Sequence, residues 1–234
     1  LLRRLIMVGS GTTSKSRSTA RKIAKITKKI SSPVQRKKIG SFTRMMLRLA
    51  AFFSFFGMKY IYSGWSKLWR FLLDGKYKNV AITPSVQWKP AEVLAFFTKE
   101  CKWVKDPWYY VDVISRPQRF WVKKQGDCDE YACFAGTVMN KYNGCILSVN
   151  WYNPQSKDKK FGGHNVYVFK DGNAMWHIGN WGLFGPYTKG TWDTVARSIV
   201  TNADSGAIML AYSVRDPQTL KFKGGRSMLT KELK

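Results

Sequence analysis

Cys128, His164 and Asn180 are the residues whose types and order suit covalent chemistry. A thiol becomes a strong nucleophile when a base takes its proton, and a carboxamide can hold that base in one tautomer. Cys128 lies within Gly126-Asp127-Cys128-Asp129-Glu130-Tyr131-Ala132. Asp127 is a good N-cap and Glu130 completes a capping-box spacing, which puts Cys128 at the first helical position. There the partial positive charge of the helix terminus favours thiolate over thiol. The carboxylates of Asp127 and Glu130 oppose that shift unless they are occupied in capping, so a base is needed.

The elements that must position these residues are legible as patterns. Tyr131, Ala132, Phe134, Ala135, Val138, Met139 and Tyr142 keep helical spacing, and Asn143-Gly144 supplies a stop. Residues 163–170 alternate as a strand, Asp171-Gly172-Asn173 is a turn, and residues 174–180 read as the returning strand. With a three-residue loop at 171–173, Lys170 pairs with Ala174 and His164 faces Asn180, close enough for a carboxamide to orient the imidazole. A two-residue loop shifts the register by one and breaks that pairing. His177 has the opposite parity to Asn180 and is expected on the other sheet face with Tyr167.

Taken together, the Gly-Asp-Cys-Asp-Glu-Tyr-Ala stretch, Gly163-His164-Asn165-Val166-Tyr167-Val168 and Trp176-His177-Ile178-Gly179-Asn180-Trp181 resemble the transglutaminase-like cysteine peptidase superfamily. The resemblance covers roughly residues 86–215. It implies a papain-like catalytic core with Cys128 as nucleophile, His164 as base and Asn180 as orienting residue, where the family usually has Asp. No cofactor or metal is expected. An acyl-transfer site also needs oxyanion donors. The Cys128 N–H is one candidate, and the side chains of Gln125, Trp121 and Trp103 are candidates for the second, with Gln125 nearest in sequence. Trp103, Trp108, Tyr109, Tyr110, Phe120 and Trp121 read as core and cleft wall. Cys133 and Cys145 read as small buried hydrophobes and Cys101 is unassigned. Zinc held by Cys128, Cys133, Cys145 and His164 is disfavoured, because no C-x-x-C pair exists.

Charge separates the chain into unlike parts. Lys and Arg number 40 against 14 acids, for a net +26. Residues 1–78 hold 19 of the basic residues and a single acid, Asp74. Residues 1–44 read as a basic, flexible arm with too little apolar surface to fold alone. Arg21, Lys22, Lys25, Lys28, Lys29, Arg36, Lys37 and Lys38 are its anion-binding candidates, suited to nucleic acid or another polyanion over residues 15–38. Residues 45–80 read as an apolar and basic helical segment with a linker, 81–215 as the catalytic domain and 216–234 as a basic tail. The apolar run at 49–58 is too short to span a bilayer. Residues 45–62 are expected to dock on the catalytic domain or a partner protein, with a membrane surface as the rival.

The expected architecture is α+β, with helices packed on an antiparallel sheet. The expected function is cysteine-dependent amide hydrolysis of a peptide or protein through a thioester. If an amine resolves the thioester, the same site is a transglutaminase. The alternative is a weak or inactive structural or nucleic-acid-binding protein, such as a virus or phage particle component. Sparse cysteines favour a reducing cytoplasmic compartment, the basic arm joined to a thiol hydrolase domain suits a virus particle, and no segment reads as a signal peptide or transmembrane helix.

Overall fold

Alternating apolar residues build a six-stranded antiparallel sheet, and the chain supplies helices to both of its faces. The fold is α+β. The computed structural model describes residues 40–83, 87–105, 114–156, 160–188, 190–204 and 206–228. The eight anion-binding candidates of the arm lie outside the described residues, as do Trp108, Tyr109 and Tyr110.

The helices are α1 (Ser41–Phe56), α2 (Tyr62–Leu72), α3 (Pro90–Lys99), α4 (Pro117–Lys123), α5 (Cys128–Val138) and α6 (Trp192–Ala203). Strands β1 (Lys102–Trp103) and β2 (Gln125–Gly126) form a small parallel pair. The main sheet has the order β6-β5-β4-β3-β7-β8. Its strands are β3 (Cys145–Tyr152), β4 (Phe161–Asp171), β5 (Ala174–Gly179), β6 (Gly182–Thr188), β7 (Ile208–Arg215) and β8 (Phe222–Ser227).

Side-chain parity divides the core into two layers. Val149, Val166 and Val168 pack against Val195, Ile199 and Val200 of α6 on one face. Tyr167, Phe169 and Ile178 pack against Phe134, Ala135 and Val138 of α5 on the other. Phe96 of α3 and Phe120 of α4 extend that second layer, which is why Phe120 and Trp121 lie in an aromatic core. The Tyr167 hydroxyl donates to Met139 O and accepts from Gly144 N, fixing the end of α5 to β4.

Residues 41–72 form one helical rod. A π-helical turn at Gly57–Ile61 joins α1 to α2, with Tyr62 N–H donating to Gly57 O. The rod lies on the α5 face of the sheet: Leu47 and Ala51 pack on Leu210, and Ser213 Oγ donates to Met58 Sδ. Ser63 Oγ donates to Leu220 O. Arg70 is buried, and donates to Ile114 O, Ser115 O, Gln218 O and Cys133 Sγ. The segment expected as helix plus linker over 45–80 is thus part of the folded unit spanning 39–234.

Two further expectations are corrected. The stretch read as a basic tail from 216 folds back as β8 against β7, and it buries Leu220 and Met228. Its Lys, Arg and Gly residues suit an edge strand, where charge discourages further pairing. The hairpin between β4 and β5 has a two-residue turn, because Asp171 pairs with Ala174 and Lys170 with Met175. Gly172 takes the positive φ of 59° that such a turn needs.

Candidate functional site

The helix carrying Cys128 starts as its cap residues dictate. Asp127 accepts from Asp129 N at 2.9 Å, and Glu130 Oε2 accepts from Asp127 N at 3.0 Å. The carboxylates of Asp127 and Glu130 are therefore engaged in the capping box. Gly126 has to precede them, since a Cβ there would come within 2.7 Å of Glu130 Cβ. Cys128 is half-buried and opens into a cleft of about 1030 Å³.

Several parts of the chain build that cleft, β3 among them through Ser148, Asn150 and Trp151. The π-turn of the rod supplies Gly57, Met58 and Ile61, followed by Tyr62; α5 supplies Cys128; the start of β4 and the β5–β6 turn supply His164, Asn165, Asn180 and Trp181. Trp103 lines the cleft as well and is 52% exposed. Of the three oxyanion candidates it is the one in the cleft wall. Gln125 is exposed on β2, and Trp121 packs flat on Phe134 with the Lys124 ammonium 3.2 Å from the centre of the Trp121 ring.

The observed register changes what faces Cys128. Val149 pairs with His164, so His164 shares the α6 face with Val166 and Val168. Continuing the β4–β5 ladder brings Trp181 opposite His164 and Asn180 opposite Asn165. The His164 ring accordingly stacks on Trp181, with centroids 3.6 Å apart and planes within 9°. His177 is opposite Val168, on the same face as His164 and not with Tyr167. The expected His164–Asn180 pairing is thereby corrected: one residue less in the turn turns each partner to the other side.

Asn165 is the β4 residue that reaches the thiol. Its Nδ2 lies 3.9 Å from Cys128 Sγ and donates to Asp129 Oδ1. The Tyr62 hydroxyl donates to Asp129 Oδ2. Arg215, fully buried on β7, stacks its guanidinium 4.7 Å from the Tyr62 ring centre and donates to the hydroxyls of Ser63, Ser148 and Ser213. The rod is therefore tied to the first turn of α5 through Tyr62 and Asp129. The link between them carried no sequence signal, since no local spacing joins position 62 to position 129.

His164 Nε2 is buried and has no hydrogen-bond partner among the described residues. It is thus not bonded to the Cys128 thiol in this state. Asn180 Oδ1 is buried in the same condition. Burial pushes the His164 imidazole down to about 3, with His177 a smaller cause, so the ring is neutral near pH 7. Burial also pushes His177 down, to about 4; its Nδ1 is 3.0 Å from the Tyr187 hydroxyl.

The remaining thiols are set apart from Cys128. Burial pushes Cys101 up to about 12 and raises Cys133 and Cys145. Cys145 packs in the α6 layer and Cys133 contacts Arg70 in the α5 layer, so the zinc set of Cys128, Cys133, Cys145 and His164 is not brought together. Asp127, Cys128 and Asp129 do place ligand-type atoms within 4.8 Å of one another. Capping by Asp127, and the Tyr62 and Asn165 bonds to Asp129, already use those carboxylates. Comparison with models of protein families and with curated proteins finds no match for this chain.

Proposed function

We propose that the protein is a cysteine-dependent amidase or peptidase with a papain-like, transglutaminase-like site. The observation that carries this reading is one cleft holding a helix-N-terminal thiol together with three buried polar atoms that lack partners, His164 Nε2, Asn165 Oδ1 and Asn180 Oδ1. Buried unpaired polar atoms are costly, and sites that use them in chemistry are a principal reason they persist. In this mechanism His164 takes the Cys128 proton and the thiolate attacks an amide carbonyl. The helix terminus, with Trp103 beside it, stabilises the oxyanion. His164 then gives its proton to the departing amine, and water resolves the thioester to acid and free thiol. Resolution by an amine makes the same site a transglutaminase.

A second reading has its own support. Asn165, not His164, faces Cys128, and a buried Asp129 beside the sulfur disfavours a thiolate. On this reading the cleft is a binding or structural feature without thiol chemistry.

Alkylation of Cys128 against pH, followed by peptide mass, separates the two. Burial raises the other three thiols, so labelling near neutral pH reports Cys128. The amidase reading expects fast alkylation well below pH 8, slowed about tenfold or more in His164→Ala. Equal, free-thiol-like titration in both proteins sinks it.

The basic arm is proposed to hold a polyanion such as nucleic acid, on the strength of its eight candidate Lys and Arg residues. Neutralising 6–10 phosphates predicts an affinity loss of about 10³-fold or more between 50 and 200 mM salt. A filter-binding assay showing no association at low salt would remove this proposal.

A further inference from the structure

The rod formed by residues 41–72 has two long faces, and only one of them is covered. Leu47, Ala51, Ser66 and Arg70 are buried against the rest of the fold. Phe42, Leu49, Phe56, Ile61, Leu68 and Leu72 are exposed, Phe42 to 72%.

Their spacing shows that the exposed residues form one stripe. Phe42 to Ile61, Leu49 to Leu68, Leu47 to Ser66 and Ala51 to Arg70 are each nineteen residues apart. Five turns of α-helix take about 18 residues, so in a straight helix each of these pairs would be out of phase by roughly 100°. The π-turn at Gly57–Ile61 absorbs the extra residue. It brings the covered face and the apolar face back into line on both sides of the turn. At roughly 1.5 Å per residue the stripe runs close to 50 Å, far more than the isolated exposed side chains common on a soluble surface.

Charge selects what covers it. Arg70 is buried on the covered face, which leaves Arg44, Arg48, Lys59 and Lys67 as the other basic residues of 41–73, a stretch with no acid. An apolar stripe edged by basic residues on a helix lying flat is the pattern that binds an anionic lipid surface. A second copy of this chain would bring another +26 against it. No described helix is long and apolar enough to cross a membrane, so the rod would lie along the bilayer and not through it.

We infer that the exposed face of residues 41–72 docks on an anionic phospholipid bilayer. Phe53, Ile61 and Trp65 belong both to this exposed face and to the cleft wall. Docking therefore sets the mouth of the Cys128 cleft at the lipid surface. This holds whether or not Cys128 is a nucleophile.

The test is co-sedimentation of the full chain with vesicles of phosphatidylcholine alone and of phosphatidylcholine with 30 mol% phosphatidylglycerol as a working composition, on the order used for anionic surfaces. Salt separates the stripe from the basic arm. The stripe predicts binding to the anionic vesicles that persists in part at about 0.5 M NaCl, where charge-only attraction is screened. The variant Leu49→Glu/Phe52→Glu/Phe71→Glu, at exposed positions outside the cleft wall, is expected to lose at least about tenfold in partitioning. The milder Leu49→Ala/Phe52→Ala/Phe71→Ala variant is expected to move the same way and guards against a folding defect, with circular dichroism as the check. Equal partitioning of wild type and both variants, or complete release by salt, overturns the inference and assigns binding to the arm. A lipid-free dimer that both variants dissolve overturns it in favour of a second copy.

Discussion

Replacing Arg70 by Ala is expected to destabilise the protein by about 3–5 kcal/mol. Four acceptors converge on this one guanidinium: Ile114 O, Ser115 O, Gln218 O and Cys133 Sγ. They come from the segment before α4, the turn before β8 and the middle of α5. Truncation removes the donor and leaves buried carbonyls without a partner, which costs more than the net value of the bonds. In a unit of this size the melting temperature should fall by on the order of 10 °C. Arg70→Lys should recover only part of the loss, because one ammonium cannot span the same fan of acceptors. A loss under about 1 kcal/mol in urea unfolding would show that the rod is not held by this residue.

The second large effect is acid sensitivity at a pH where carboxylates are still charged. Both histidines are buried and held neutral, His164 down to about 3 and His177 to about 4, mainly by desolvation. In the unfolded chain each takes up a proton near 6.5. Their stabilising contribution is therefore complete above about pH 6.5 and is lost as pH falls toward their folded values. Between about pH 6 and 4.5 the unfolded state holds up to two more protons, a slope near 2.7 kcal/mol per pH unit. Asp216 works in a lower window. Its carboxyl is brought down to about 2 by Thr219 and Lys223 in spite of desolvation, so its contribution fades only below its ordinary value. Urea midpoints at pH 7.5, 5.5 and 4.5 measure the slope. His164→Gln and His177→Gln should each flatten it by about half; an unchanged slope in both variants would place the acid response elsewhere.

What the sequence disclosed was local, and what it concealed depended on counting single residues across a distance. The start of α5 was legible because Asp127, Cys128 and Glu130 carry their own cap chemistry within four positions. Pro90 in the first turn of α3 and Thr191 as the cap of α6 are local chemistry of the same kind. The β4–β5 register was not. Asp171, Gly172 and Asn173 are all turn formers, and only the ladder shows that Asp171 still pairs. That one residue decides whether His164 or Asn165 meets the thiol. The rod was underestimated because the π-turn shifts the apolar period by one, so residues 41–56 and 62–72 do not look like a single helix in sequence. Edge strand β8 was hidden by Gly224 and Gly225 and by its basic residues, which read as a tail.

The contacts between the rod and the β7–β8 region also set an order of events during synthesis. Ser63 bonds Leu220 across 157 residues, and Arg70 bonds Gln218 across 148. The rod leaves the ribosome before the surface that covers one of its faces. Closing so long a loop is slow, and until it closes the nascent chain shows solvent both of the rod's apolar sides. The cleft wall at the π-turn comes into place only with that closure, so Cys128 meets a finished cleft only once the β7–β8 hairpin has formed.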